Sequence, residues 1–255
     1  MPYIDFQQLI DLEETMTDQP AIVWNSVGRS DVGRVRNTNE DAFYHSTEQD
    51  IWAVADGMGG LARGDYASAV VAEAFVHFGK SSNIAASIRD LETRLRGAHT
   101  NCRSSFAGER VGSTVAAMLS CGQYSFFLWA GDSRVYRLRG DQLKQMTKDH
   151  TVAQGKFERG ELTANKVATH PGAHILTRAV GVHQTLHLDL DYDTVQPGDR
   201  FLLCSDGLYN DLSRDEIHLL LAREPAQQAL DTLIDAALEK SGSDNITAII
   251  VDASQ

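Results

Sequence analysis

The chain is predicted to be an α+β protein built from two packed β-sheets with a pair of helices on the outside of each. Three observations carry this expectation. The elements follow the order strands, helix pair, strand meander, helix pair, strand, which suits two facing sheets covered by helices. Both helix pairs are amphipathic, so each has one apolar stripe to bury. The strand candidates are short apolar runs such as Ile51-Trp52-Ala53-Val54-Ala55, closed by glycine and an acid, as buried strands are.

Residues 1–20 are polar and acidic, with Asp5, Asp11, Glu13, Glu14 and Asp18, and they end at Pro20. Phe6, Leu9, Ile10 and Leu12 suit one short helix, a loose segment being the alternative, and no role follows for them. They are set apart as an extension from a single domain over residues 21–255. A strand runs from Ile22 toward Gly28, then a turn-rich stretch from Ser30 to Asp41, then strands Ala42–Ser46 and Ile51–Ala55. Helical spacing links Ala67, Val70, Val71, Ala74, Phe75 and Phe78, and again Ile84, Ile88, Leu91, Leu95 and Ala98. The meander covers Gly112–Leu119, Tyr124–Ala130 and Arg134–Leu138, with Gly140-Asp141 as a hairpin turn before Gln142-Leu143. Residues 148–172, with Lys148, Lys156, Arg159 and Lys166, lose periodicity and read as a small excursion. Strands return at Thr185–Leu190 and Arg200–Cys204. Ser213 and Glu216 fit a capping box opening a helix through Leu221. Ala226, Ala229, Leu230, Leu233, Ile234 and Leu238 form another helix stripe, and Ile246–Val251 is the last strand.

Composition narrows the function. A formal charge of −12 argues against nucleic acid or an anionic membrane as the main partner. No apolar run is long enough to span a bilayer, and the acidic N-terminus lacks the shape of a signal peptide. Cys102, Cys121 and Cys204 are odd in number and lack metal-site spacing, so reduced core thiols and a cytoplasmic location are expected.

One construction recurs. The strand ending at Ala55 leads into Asp56-Gly57-Met58-Gly59-Gly60, and Phe126–Ala130 leads into Gly131-Asp132. Phe201–Cys204 leads into Ser205-Asp206-Gly207, while Ser243-Asp244-Asn245 precedes the last strand. An Asp-Gly pair after a strand is commonly a turn and no more. Four such acids meeting at one rim would hold divalent cations: Mg²⁺ and Mn²⁺ take oxygen ligands and need few carboxylates. Two such ions share a water, lower its pKa and present it for in-line attack on phosphorus. Arg36, with its planar fork, is the candidate phosphate clamp.

Further motifs occur in a fixed order: Ser30-Asp31 with Gly33, Arg36 and Asn39-Glu40-Asp41; Asp56–Gly60; Gly112-Ser113-Thr114; Gly131-Asp132-Ser133-Arg134; Thr147-Lys148-Asp149-His150; Leu176-Thr177-Arg178-Ala179-Val180-Gly181; Cys204–Leu208; and Ser243–Thr247. Over residues 24–251 the ordered set resembles the metal-dependent serine/threonine protein phosphatases of the 2C type, in their compact bacterial branch. The resemblance implies a four-layer αββα sandwich of two antiparallel sheets flanked by helix pairs. It implies hydrolysis of phosphoserine and phosphothreonine on proteins by a hydroxide bridging two Mn²⁺ or Mg²⁺ ions. Asp56 would bridge the ions with the Gly57 carbonyl on one, Asp206 and Asp244 would complete the other, and Glu40 would act through water. Asp132 with Asp206 matches a third ion's position. Arg36 would bind the phosphate, and Asp41 would accept hydrogen bonds from water on the metals. The excursion matches the family's flap. The implied partners are phosphorylated proteins and a cognate Ser/Thr kinase, with the enzyme a monomer.

Eukaryotic relatives carry histidine where Met58 stands, and methionine cannot donate a proton to the leaving alcohol. Metal-bound water is the first candidate for that role; His150 and His170 read as structural, and the other histidines carry no signal. Competing classes fail on spacing. No Cys-x5-Arg exists, since Gly108, Phe127 and Asn210 stand six residues beyond the cysteines. Gly79-Lys80-Ser81 lacks the leading glycine of a nucleotide loop, Ala74 standing there. A same-fold phosphatase devoted to one regulatory phosphoprotein is an alternative, and a regulatory module with a dead site is the alternative of another class.

Overall fold

The computed structural model describes residues 6–16, 22–58, 63–106 and 111–255. Expectations for Asp5, Asp18, Pro20, Gly59 and Gly60 lie outside the described residues. The first sheet has the order β1 (Val23–Asp31), β10 (Ile246–Ser254), β9 (Arg200–Cys204), β6 (Arg134–Arg139), β7 (Gln142–Gln145). The second has the order β2 (Asp41–Ser46), β3 (Ile51–Asp56), β4 (Val115–Cys121), β5 (Tyr124–Ala130), β8 (Asp189–Thr194). Every pairing in both sheets is antiparallel.

The period-2 alternation of side chains along a strand divides the apolar residues among three cores. On β4, Val115, Ala117, Leu119 and Cys121 face one core, while Ala116 and Met118 face another. On β10, Ile246, Ala248 and Ile250 separate in the same way from Ile249, Val251 and Ala253. The middle core lies between the sheets and contains Trp52, Phe127 and Phe201, all buried. Strands β4, β5 and β9 are therefore buried on both faces and read as continuous apolar runs.

Helices α2 (Gly64–Val76) and α3 (Ile84–Ser104) cover the second sheet, with Ala67, Val71, Phe75, Ile84, Ile88, Leu91 and Leu95 turned into the core. On the other side, α6 (Arg214–Leu221) and α7 (Ala226–Lys240) contribute Ile217, Leu221, Leu230, Leu233 and Ile234. The predicted capping box is present: Glu216 N–H donates to Ser213 Oγ at 3.3 Å and Ser213 N–H donates to Glu216 Oε2 at 2.8 Å.

Of the acidic N-terminal stretch, α1 (Phe6–Glu14) is helical and sends Leu9, 1% exposed, into the core under α3. Several boundaries differ from expectation: β1 runs on through Asp31, β4 starts at Val115 rather than Gly112, and β10 continues to Ser254. The strand expected at Thr185–Leu190 pairs with β5 only from Asp189 onward. Before that point Arg103 and Arg96 of α3 donate to the carbonyls of Gln184 and Leu186, at 2.7 and 3.1 Å, so this stretch is bonded to a helix rather than to a strand. Asp206, expected in a turn, opens the short helix α5 (Asp206–Asp211). The excursion contains α4 (Val152–Glu158) and a single 3-10 turn, Ala164–Lys166.

Candidate active site

Antiparallel pairing brings the strand-end acids to one rim. Asp41 begins β2 and is the register partner of Asp56 at the end of β3. Asp132 follows β5, Asp206 follows β9, and Asp244 precedes β10, whose Ala248 pairs with Cys204 of β9. Arg36, Asp56, Gly57, Asp132, Asp206 and Asp244 all line one cleft of about 450 Å³. Glu40 and Asp41 stand just behind its wall. The Glu40 carbonyl accepts the Gly57 N–H at 3.0 Å, and Asp41 Oδ2 accepts from Ser205 Oγ at 2.7 Å.

Glycine is required at position 57 by packing: a Cβ there would run into the main-chain oxygens of Gly64 and Glu40. Gly33, at φ +80, lies against the Asp244 carbonyl in a backbone conformation other residues rarely adopt. Asn245 ties the loop carrying Arg36 to the last strand. Its Nδ2 donates to the carbonyls of Val32 and Thr38 at 2.8 and 3.0 Å, and its Oδ1 accepts from Glu40 N–H at 2.8 Å. Thr114 supports Asp56, accepting the Asp56 N–H at 3.0 Å and bonding Ser133 Oγ at 2.6 Å.

Arg36 Nη2 donates to Asp244 Oδ2 at 2.8 Å, which raises the guanidinium pKa further. The carboxyls shift upward as a group. Removal from water, then repulsion from Asp206 and Asp244, pushes Asp41 up to about 7, even though Thr247 and Ser205 hydrogen-bond it. Burial, then Asp206 and Asp149, pushes Asp132 up to about 8. Burial and its neighbouring acids hold Asp56 well above the carboxylate range, and Asp206 is raised for the same reasons. Buried like charges disfavour ionisation, and a nearby cation reverses that effect.

Among the described residues no three His, Cys, Asp or Glu side chains are already gathered as a metal cluster. Asp244 is instead held by Arg36, whose guanidinium neutralises part of the acidic charge. The donor set is all oxygen, crowded and partly withdrawn from water, and it fits a hard dication such as Mg²⁺ or Mn²⁺.

His150 is a structural residue. It stacks on Trp129 at 5.9 Å, accepts the Gly131 N–H at Nδ1 (3.2 Å) and meets Asp189 through Nε2 (3.1 Å). His170 Nδ1 accepts the Gly172 N–H at 2.9 Å, and its Nε2 lies 3.2 Å from Lys156 Nζ. Met58 lines the cleft. Sequence reasoning missed His174 and His183, which line it too and are chemically able to donate a proton. Their approach depends on how the stretch after β7 folds back over the rim, and no local spacing in the sequence signals it.

A family model described as protein phosphatase 2C matches residues 30–248. The serine/threonine protein phosphatase PstP of Mycobacterium tuberculosis is 33% identical over 235 residues, covering 91% of this chain and 45% of PstP, so the chain spans about half that relative's length. The serine/threonine phosphatase Stp of Listeria innocua is 31% identical over 236 residues, covering 88% of this chain and 94% of Stp. The catalytic domain of PstP, solved in complex with two manganese ions, superposes with a TM-score of 0.82 at 31% identity, covering 92% of this chain and all of that one. The matched segment begins ahead of Arg36 and ends beyond Asp244, taking in every acid of the cleft. The chain belongs to the protein phosphatase 2C family.

Proposed function

We propose that this chain hydrolyses phosphoserine and phosphothreonine on proteins in a metal-dependent reaction. The observation that carries this reading is the convergence of Asp56, Asp132, Asp206 and Asp244 with Arg36 on one cleft. Asp56, Asp206 and Asp244, with the Gly57 carbonyl, would hold two Mn²⁺ or Mg²⁺ ions, Glu40 acting through water. Asp132 and Asp206 would hold a third. Ions held there would supply an activated water and neutralise charge on the phosphoryl group.

The chain's own groups do the rest. Arg36 exchanges Asp244 for the substrate and clamps two phosphoryl oxygens with its planar fork. Asp41, oriented by Ser205 Oγ, accepts hydrogen bonds from water in the site. Asn245 and Gly33 hold the Arg36 loop against the strand that precedes Asp244.

The partners are phosphorylated proteins and a Ser/Thr kinase acting on the same targets. The chain functions as a single domain with residues 148–172 as a flap, and as a monomer. Cytoplasmic placement is supported by Cys102, Cys121 and Cys204, which are all free and buried. No helix among the described residues is long and apolar enough to cross a membrane.

The test is hydrolysis of p-nitrophenyl phosphate and of a phosphothreonine peptide with and without Mn²⁺. Turnover should require the metal, stop with chelator, and vanish in Asp56→Asn with the fold retained. Folded, manganese-supplied protein without turnover, or near-normal Asp56→Asn, overturns the proposal.

A further inference from the structure

A second cavity of about 590 Å³ lies beside the catalytic cleft, between the excursion and α5. His174 lines both cavities. Asn210, on the wall of the second, donates to Asp206 of the first at 3.0 Å. One side chain and one helical turn therefore separate them. Successive Cα atoms of a peptide stand about 3.8 Å apart. A substrate with its phosphoresidue in the cleft thus brings a residue one or two positions away over the second cavity.

Charge in this cavity is unbalanced. Arg134 donates through Nε and Nη2 to Asp149, at 3.0 and 2.6 Å, and through Nη1 to Tyr136 Oη at 2.9 Å. Its guanidinium also lies 3.5 Å from the centre of the Tyr209 ring. Arg134 and Asp149 neutralise each other, which leaves little attraction for an incoming anion. Asp211 accepts from Ser241 Oγ at 2.6 Å and from Gly242 N–H at 3.0 Å, both neutral donors. Among the described residues no ion pair joins it to Lys, Arg or His, so its negative charge is not cancelled. Val167 and Ala168 add methyl groups to the lining. A cavity lined by both a carboxylate and methyl groups suits a long basic side chain, whose methylene stem packs on the wall while its head reaches the acid.

We propose that this cavity is a substrate subsite for a lysine or arginine flanking the phosphoresidue, with Asp211 as its counter-ion. The proposal rests on the phosphatase reading above and adds the substrate's preferred neighbour. The chain's formal charge of −12 would steer basic segments toward it.

The test is kcat/KM on phosphothreonine peptides carrying Lys, Ala or Glu at each of the two positions on either side. At one position Lys should exceed Ala by about 5-fold, the scale of a partly exposed ion pair, with Glu below Ala. Asp211→Asn should remove this order while p-nitrophenyl phosphate, which has no flanking residue, is turned over within about twofold of wild type. Val167→Lys, which fills the cavity with a tethered cation and leaves Asp211 intact, should also remove it. The subsite is overturned if no position favours Lys, or if the preference survives both variants. Loss of p-nitrophenyl phosphate turnover in the wild type would instead overturn the phosphatase reading, and the subsite with it.

Discussion

Asp132→Asn should stabilise the metal-free protein, and the gain should grow with pH. Asp132 is 6% exposed, and its carboxyl is pushed from the ordinary 3.8 to about 8, by burial first and then by Asp206 and Asp149. The sign follows from proton uptake: between those two values the unfolded chain has lost this proton and the folded chain keeps it. Stability is therefore fully present below the unfolded pKa, is lost as pH rises through the window, and levels off above the folded pKa. At 1.36 kcal/mol per pH unit the ceiling on this loss is about 2 kcal/mol at pH 5 and about 5 kcal/mol at pH 7.5. Asparagine has nearly the same shape and needs no proton. Even about 1 kcal/mol of recovered stability raises Tm by about 2–4 °C in a domain of this size. Urea unfolding of wild type and Asp132→Asn in excess chelator, from pH 5 to pH 8, reads the difference directly. The gap should widen across that range. A gap independent of pH, or a variant less stable than wild type at pH 7.5, would refute the reasoning.

Arg36→Ala should raise KM for phosphopeptides by about 10- to 100-fold with a smaller change in kcat, as expected from losing charge-assisted hydrogen bonds worth about 1.5–3 kcal/mol; unchanged KM with a collapsed kcat would contradict that role. Gly57→Ala should cost about 2–3 kcal/mol in denaturant unfolding, the scale of overpacking against main chain, because the added carbon meets the oxygens of Gly64 and Glu40. A stability equal to wild type would show that the rim gives way there.

Much of this architecture was legible because a strand covered on both faces is written as an unbroken apolar run. The uninterrupted apolar runs at 51–55, 126–130 and 201–204 mark strands that are covered twice, and the structure buries them so. The acids were legible for a related reason: each follows or precedes such a run, and antiparallel order carries those ends to one rim. The opening of α5 was hidden because Ser205-Asp206-Gly207 has the letters of a turn, while Ser205 in fact precedes a helix that starts at Asp206. The late start of β8 was hidden because Leu186, Leu188 and Leu190 alternate like a strand and are all buried. Arg96 and Arg103 of α3, distant in sequence, show where part of the backbone of that stretch bonds. His174 and His183 reach the cleft through tertiary folding of a segment without periodicity, and the Arg36–Asp244 pair joins residues 208 positions apart.

Anomalous diffraction at the manganese edge from crystals soaked in Mn²⁺ tests the central claim most directly. Two strong peaks are predicted, bounded by Asp56, Asp206 and Asp244, with Arg36 turned away from Asp244 and free for phosphate. Peaks only outside this cluster of acids, or none while the Arg36–Asp244 pair persists at saturating metal, would contradict the account.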